Sequence, residues 1–273
     1  MFCTFLAERY PAGTVKNYMN HCAYLHEFYE YTRPIWDSLP WTHRVRRSLT
    51  RRPMHVTPKK QPVTYPLSCR LIDTLDLSKD GDLVFATILL FGILGLFRLG
   101  ELLRKSPSNW DERRILRRGH VSRFTTTLVY YRVWLPYSKT DLTGNGCPVY
   151  IPSTTSPQYC PVTLMDSYLE RVPGIPTDPL FRWPSGTPVT TGSFIRKLKR
   201  HLLMLDIDPD DYSGHSLRKG GACTAARAGL SDEMIKMLGR WTSDCFRRYT
   251  AWLPADIQQL NSRLQTLGLL YSQ

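Results

Sequence analysis

Apolar residues run almost unbroken from Leu83 to Phe97 (LVFATILLFGILGLF) and stop at Arg98. These fifteen residues read as a buried helix, short of the ~20 needed to span a bilayer. Within Asp82–Lys105 the pattern predicts two helices broken near Gly95. Earlier, Thr14–Tyr31 carries Val15, Tyr18, Met19, Cys22, Leu25 and Phe28 at helical spacing, and a second helix is expected within Ile35–Thr50. Thr126–Pro136 (TTLVYYRVWLP), rich in branched and aromatic residues, reads as a strand. Pro148–Ile151 reads as a second, with Gly144-Asn145-Gly146 in the turn between them. Helical spacing marks Ser68–Leu75, Val162–Arg171, Thr191–Leu205, Ser216–Ala228, Asp232–Leu238 and Asp244–Ala251. It also marks Ala255–Leu267, where Ile257, Leu260, Leu264 and Leu267 share a face. The fold class expected is mainly α with a small antiparallel β-sheet (α+β).

Composition changes this picture in one respect. A chain of 273 residues with 42% hydrophobic and 22% charged residues is an ordinary folded protein, but its net charge is +13. Such an excess favours a polyanionic partner, because each neutralised phosphate releases condensed counterions. The basic residues form separate clusters: Arg44–Arg52 (RVRRSLTRR), Lys59–Lys60, Arg113–Arg118 and Arg196–Arg200. Spread in this way, they suit a track of double-stranded DNA better than one small ligand. Arg44, Arg46, Arg47, Arg51, Arg52, Lys59 and Lys60 are the candidate DNA-binding residues. Arg51–Tyr65, with three prolines, has linker character. The seven cysteines form no C-x-x-C pair, so neither a zinc nor a disulfide framework is indicated. A reducing intracellular compartment, no secretion signal and no membrane partner are expected.

The candidate chemistry lies in three places. His215 and Arg218 stand three residues apart at a helix start, where i and i+3 share a face and can converge on one anion. Arg98 ends the buried run, and a guanidinium there needs an anionic partner; an i,i+3 ion pair with Glu101 is the plain alternative. Two arginines flanking one phosphate would form a planar, permanently charged clamp. Lys139 lies at the hairpin tip in YSKTDLTGNG, by default a solvated turn residue. Trp241 follows Gly239-Arg240, with Gly239 placed as a helix C-cap, and core packing is the usual fate of such an indole. Tyr249 is one of fifteen tyrosines, and a phenol with pKa of about 10 is a poor nucleophile unless cations stabilise its anion. The small residues Gly220, Gly221, Ala222, Ala225 and Ala226 let another backbone, or DNA, approach closely. ARAGLSDEMIKMLGRWTSDCFRRY also reads as a helix-turn-helix, with Gly229 at the turn and Ser231 capping the next helix.

The order GLFRLGEL, then YSKTDLTGNG, then H-x-x-R, G-R-W and Y resembles the tyrosine recombinase (phage integrase) family. The KTD hairpin and the GRW-SD-Y ending look most like recombinases of eukaryotic DIRS-type retroelements and Crypton transposons. One departure is a gap between tryptophan and tyrosine one residue shorter than in many bacterial members, a gap the eukaryotic mobile-element branch shares. The resemblance implies a partial helical core-binding domain over 1–52, a linker over 53–65 and a catalytic domain over 66–273. The family has about four helices in the first domain, so Met1 is expected to start inside an incomplete one. The resemblance also implies the catalytic roles: Arg98 and Arg218 bind the scissile phosphate, and His215 and Trp241 hydrogen-bond it. Lys139 protonates the leaving 5′-oxygen and Tyr249 attacks to give a 3′-phosphotyrosine. No metal and no cofactor is implied, four protomers act together on DNA, and a eukaryotic mobile-element origin would place the protein in the nucleus. The competing expectation is a catalytically silent, domesticated DNA-binding protein of recombinase ancestry.

Overall fold

The computed structural model describes residues 2–31, 44, 59–106, 114–138, 141 and 144–250. The chain divides into two compact units, Met1–Lys59 and Lys60–Gln273. In the first, α1 (Phe2–Arg9) and α2 (Ala12–Phe28) bury Leu6, Val15 and Met19 together. Of the apolar stripe read on α2, Val15 and Met19 are buried while Tyr18, Leu25 and Phe28 are exposed. The sequence pattern did not predict α1. The helix expected within Ile35–Thr50 lies outside the described residues, Arg44 excepted.

The second unit is organised around α4 (Asp80–Leu94), in which every residue from Leu83 to Ile93 is buried. Hydrophobic on all sides, it needs neighbours on all sides. Three helices supply them: α3 (Tyr65–Asp73), α6 (Pro161–Arg171) and α8 (Ser216–Arg227). The short α5 (Leu99–Leu102) follows α4 directly. The sheet has order β1-β2-β3, antiparallel throughout, from β1 (Val121–Thr125), β2 (Val129–Leu135) and β3 (Cys147–Pro152). Tyr131, Val133 and Leu135 face the core from β2 and alternate with outward Arg132 and Trp134; Val133 pairs with Val149 and Tyr131 with Ile151. Two strands were expected from the sequence. The third, VSRFT, alternates too weakly to announce itself, being only half buried.

Helix α7 (Thr191–Leu203) starts at Thr190, whose hydroxyl accepts from the Ser193 N–H, and α9 (Asp232–Leu238) starts at Ser231 in the same manner. Residues 60–64, read as linker, pack into this unit: Val63 is fully buried and its N–H donates to the Ser216 carbonyl. The helix expected over Asp244–Ala251 is a 3-10 turn over Asp244–Arg248, and Ala255–Leu267 lies outside the described residues. No described helix is long and apolar enough to cross a membrane.

Candidate active site

Two helices end in the same way and point at the same place. Helix α4 stops at Gly95-Leu96-Phe97 and α9 stops at Gly239-Arg240-Trp241. In each, the third residue's N–H reaches back five positions, Phe97 to the Gly92 carbonyl and Trp241 to the Lys236 carbonyl, both at 3.0 Å. The middle residue takes the left-handed conformation, Leu96 at φ 47° and Arg240 at φ 56°. This is a Schellman ending with a non-glycine residue in the left-handed position, a conformation that costs about 1–2 kcal/mol per residue. Glycine therefore stands one residue earlier than its conformational freedom would require. The reason is packing, since a Cβ on Gly95 or Gly239 would collide with the Phe97 or Trp241 ring folded over it.

The carbonyls freed at these two C-termini converge on two guanidinium groups. Arg218, on α8 and almost fully buried, donates to the Leu96 carbonyl at 2.6 Å and to the Gly239 carbonyl, with its Cζ over the Trp241 ring, 4.3 Å from the centroid. Arg240 donates to the Gly95, Leu96 and Leu238 carbonyls, each at 3.1 Å. Helix α8 comes this close because it presents glycines. A side chain on Gly220 would strike the Val63 carbonyl, and one on Gly221 the Ile93 carbonyl. The close approach foreseen for those small residues is thus to backbone of the same unit.

Arg98 begins α5, and its ion pair with Glu101 is present: Nη1 lies 2.6 Å from Glu101 Oε1 and 3.2 Å from the Ser138 hydroxyl. Glu101 is buried, and its Oε2 accepts from the Arg98 backbone N–H at 2.9 Å and from Arg240 at 3.3 Å. Two guanidinium groups therefore hold one carboxylate and a third, that of Arg218, lies within its field, leaving an excess of two positive charges. The strain falls on Arg218: burial first, then Arg98 and Arg240, push its pKa down to about 9, against the opposing pull of Glu101 and Tyr249. An anion placed here would relieve that strain.

Tyr249 caps the 3-10 turn, half buried, its ring centroid 6.4 Å from that of Trp241; the Cys223 thiol donates to its carbonyl at 2.6 Å. His215 is exposed at the N-cap of α8, one turn before Arg218. Arg98, Arg218, Trp241 and Tyr249 are thus brought together, with His215 on the adjoining helix start. Lys139 lies outside the described residues, but the hairpin is anchored on both sides of it. Ser138 is buried against Glu101, and the Asp141 carboxylate accepts from the N–H groups of Gly144, Asn145 and Gly146. Among the candidate DNA-binding residues, Arg44 and Lys59 are exposed, whereas Lys60 is tied to the Asp210 carbonyl at 2.5 Å. Arg46, Arg47, Arg51 and Arg52 lie outside the described residues. Sequence reasoning passed over Arg240 and Ser138. The repeated glycine–X–aromatic ending, GLF and GRW, was the signal that could have found Arg240. Among the described residues no group of three His, Cys, Asp or Glu is arranged to hold a metal.

The fold of the second unit is that of the tyrosine recombinase catalytic domain. The family resemblance read from the sequence is supported by an integrase/recombinase XerD homologue of Selenomonas ruminantium. That relative is 24% identical over 196 residues, 68% of this chain, and the chain spans about half its length, 52%. Among solved structures, the Tn1549 transposon integrase in complex with transposon right-end DNA is similar at a TM-score of 0.58. It is 15% identical, over 97% of this chain and 83% of that one. The XerH site-specific recombinase bound to its difH substrate matches at 0.52, with 15% identity over 76% of this chain and 56% of that one. No protein-family model matches the chain.

Proposed function

We propose that this protein cleaves and rejoins DNA strands through a covalent 3′-phosphotyrosine, as a site-specific recombinase or integrase of a mobile element. The observation that carries the reading is the meeting of Arg98 and Arg218, 120 positions apart in the sequence, in one cluster with net positive charge beside Tyr249. In the step proposed, the Tyr249 oxygen attacks the phosphorus and the bond to the 5′-oxygen breaks. The phenol proton passes toward His215, and Lys139 protonates the departing 5′-oxygen. The arginines balance the charge of the pentavalent phosphorane. The phosphodiester energy is kept in the tyrosyl bond, so religation needs neither nucleotide nor metal.

The KTD hairpin and the GRW-SD-Y ending support an origin among eukaryotic DIRS-type or Crypton elements, and with it a nuclear site of action. Exchange between two duplexes calls for four active protomers. A second reading has its own support. Arg98 is already paired with Glu101, and Arg218 already serves two carbonyls, as expected of a silent DNA-binding descendant.

The test is a pool of nicked duplexes with randomised centres, from which the short released strand diffuses away so that religation fails. In excess EDTA, a denaturing gel is expected to show a protein–DNA adduct for the wild type and none for Tyr249→Phe. An adduct that survives Tyr249→Phe overturns the nucleophile. No adduct with DNA binding intact establishes the silent binding protein.

A further inference from the structure

Arg240, the middle residue of G-R-W, has no catalytic role in the resemblance, yet its guanidinium is bonded more extensively in the site than that of Arg98. Its guanidinium spans the C-terminal carbonyls of α4 and α9, lies 5.1 Å from the Phe97 ring centroid and reaches Glu101. Its backbone adopts the left-handed conformation that turns the side chain back toward α4. Glu101 divides its two oxygens: Oε1 faces the Arg98 guanidinium, and Oε2 takes Arg240 together with the Arg98 N–H. We propose that Arg240 is a positioning residue for strand cleavage: by sharing the Glu101 carboxylate, it lets that carboxylate orient Arg98 without neutralising it. This inference rests on the function proposed above.

The physical argument is one of charge division. Arg240 and Glu101 are both largely buried, with side chains 13% and 6% exposed, so their interaction is weakly screened by solvent. With Arg240 present, one negative charge serves two guanidiniums, and Arg98 keeps positive charge for an incoming phosphate. Without Arg240, the whole field of Glu101 falls on Arg98, only 2.6 Å away, and competes with the phosphate. Lysine is a poor substitute, since one ammonium cannot reproduce a planar fork across three carbonyls and a carboxylate. Arg240 acts in this scheme through Glu101 and Arg98, not by touching the reacting atoms.

The experiment uses the full chain on the nicked duplexes, with Arg240→Gln, Glu101→Gln and the double variant, each checked for cooperative unfolding. Arg240→Gln is expected to slow adduct formation at saturating DNA by about tenfold or more, while duplex affinity changes by less than about twofold. Adding Glu101→Gln is expected to restore the rate to within about threefold of wild type, because the unshared charge is gone. A purely packing role gives the opposite result, with the double variant no faster than Arg240→Gln. Should Arg240→Gln fail to fold, Arg240→Lys with and without Glu101→Gln carries the same comparison. Wild-type adduct with no slowing in the single variant, or no rescue in the double, overturns this inference alone. No wild-type adduct overturns the proposed function and this inference with it.

Discussion

At the scale of single residues, the two motif arginines are held in unlike ways. Arg218 is an interior cation: it closes two helix C-termini and stacks on Trp241. Arg98 has a side chain 20% exposed, is held by one ion pair and a hydroxyl, and sits near two other guanidiniums. Replacing Arg218 with lysine removes the forked donation and the stacking, and about 2–4 kcal/mol of stability is expected to go with them. Arg98→Ala gives up its ion pair but also relieves repulsion on Arg218, and Glu101 retains Arg240; a change within about 1 kcal/mol is expected. Urea unfolding at pH 7 measures both. An Arg98→Ala loss as large as that of Arg218→Lys would make Arg98 a structural residue and favour the silent DNA-binding protein. From sequence, both arginines were legible by position; their partners were not, except that an i,i+3 pair with Glu101 was visible as a spacing.

At the scale of elements, the site exists because helices approach one another through glycine. The sequence pattern located α4 from its unbroken apolar run and α9 from its Ser231 cap, since both signals are local. The contact of α8 with Val63 and Ile93 was not legible, because a glycine's neighbours depend on tertiary packing. Gly239 is the C-cap of α9 that the sequence announced, but the same limit hid its reason: the left-handed residue is Arg240, and Gly239 makes room for an indole. Alanine at Gly220 or Gly221 gains about 1 kcal/mol of helix propensity but forces α8 away from backbone that cannot yield. Net losses of about 1–3 kcal/mol are expected, with DNA adduct formation falling as Arg218 leaves the Leu96 carbonyl. Gly81→Ala, on α4 with nothing within 4 Å of the added methyl, is the control; it should be neutral or stabilising by up to about 1 kcal/mol. Equal losses at Gly81 and Gly221, compared by thermal unfolding, would show that close approach is not what those glycines provide.

At the scale of the whole molecule, the fold class and the order of elements in the second unit were readable, because hydrophobic period and cap chemistry agree there. The first unit was less so, its apolar stripe being exposed at Tyr18, Leu25 and Phe28. What the chain as a whole dictates is its charge. In the function proposed, a net +13 spread over separate clusters would bind a duplex mainly by displacing counterions from phosphates, and phosphate contacts carry little sequence information. If about six phosphates are neutralised, the dissociation constant should rise about 10³-fold between 50 and 200 mM salt. Lys60, committed to the Asp210 carbonyl, is expected to contribute less to that slope than exposed Arg44 or Lys59. Titrating a labelled duplex at several salt concentrations measures the slope. Alanine at Arg44 or Lys59 should lower it by about one unit each and weaken all sequences alike, whereas alanine at Lys60 should barely change it. A flat salt response would mean that this excess of basic residues faces something other than DNA. A slope unchanged by Arg44 and Lys59 but lowered by Lys60 would reverse the assignment of the track.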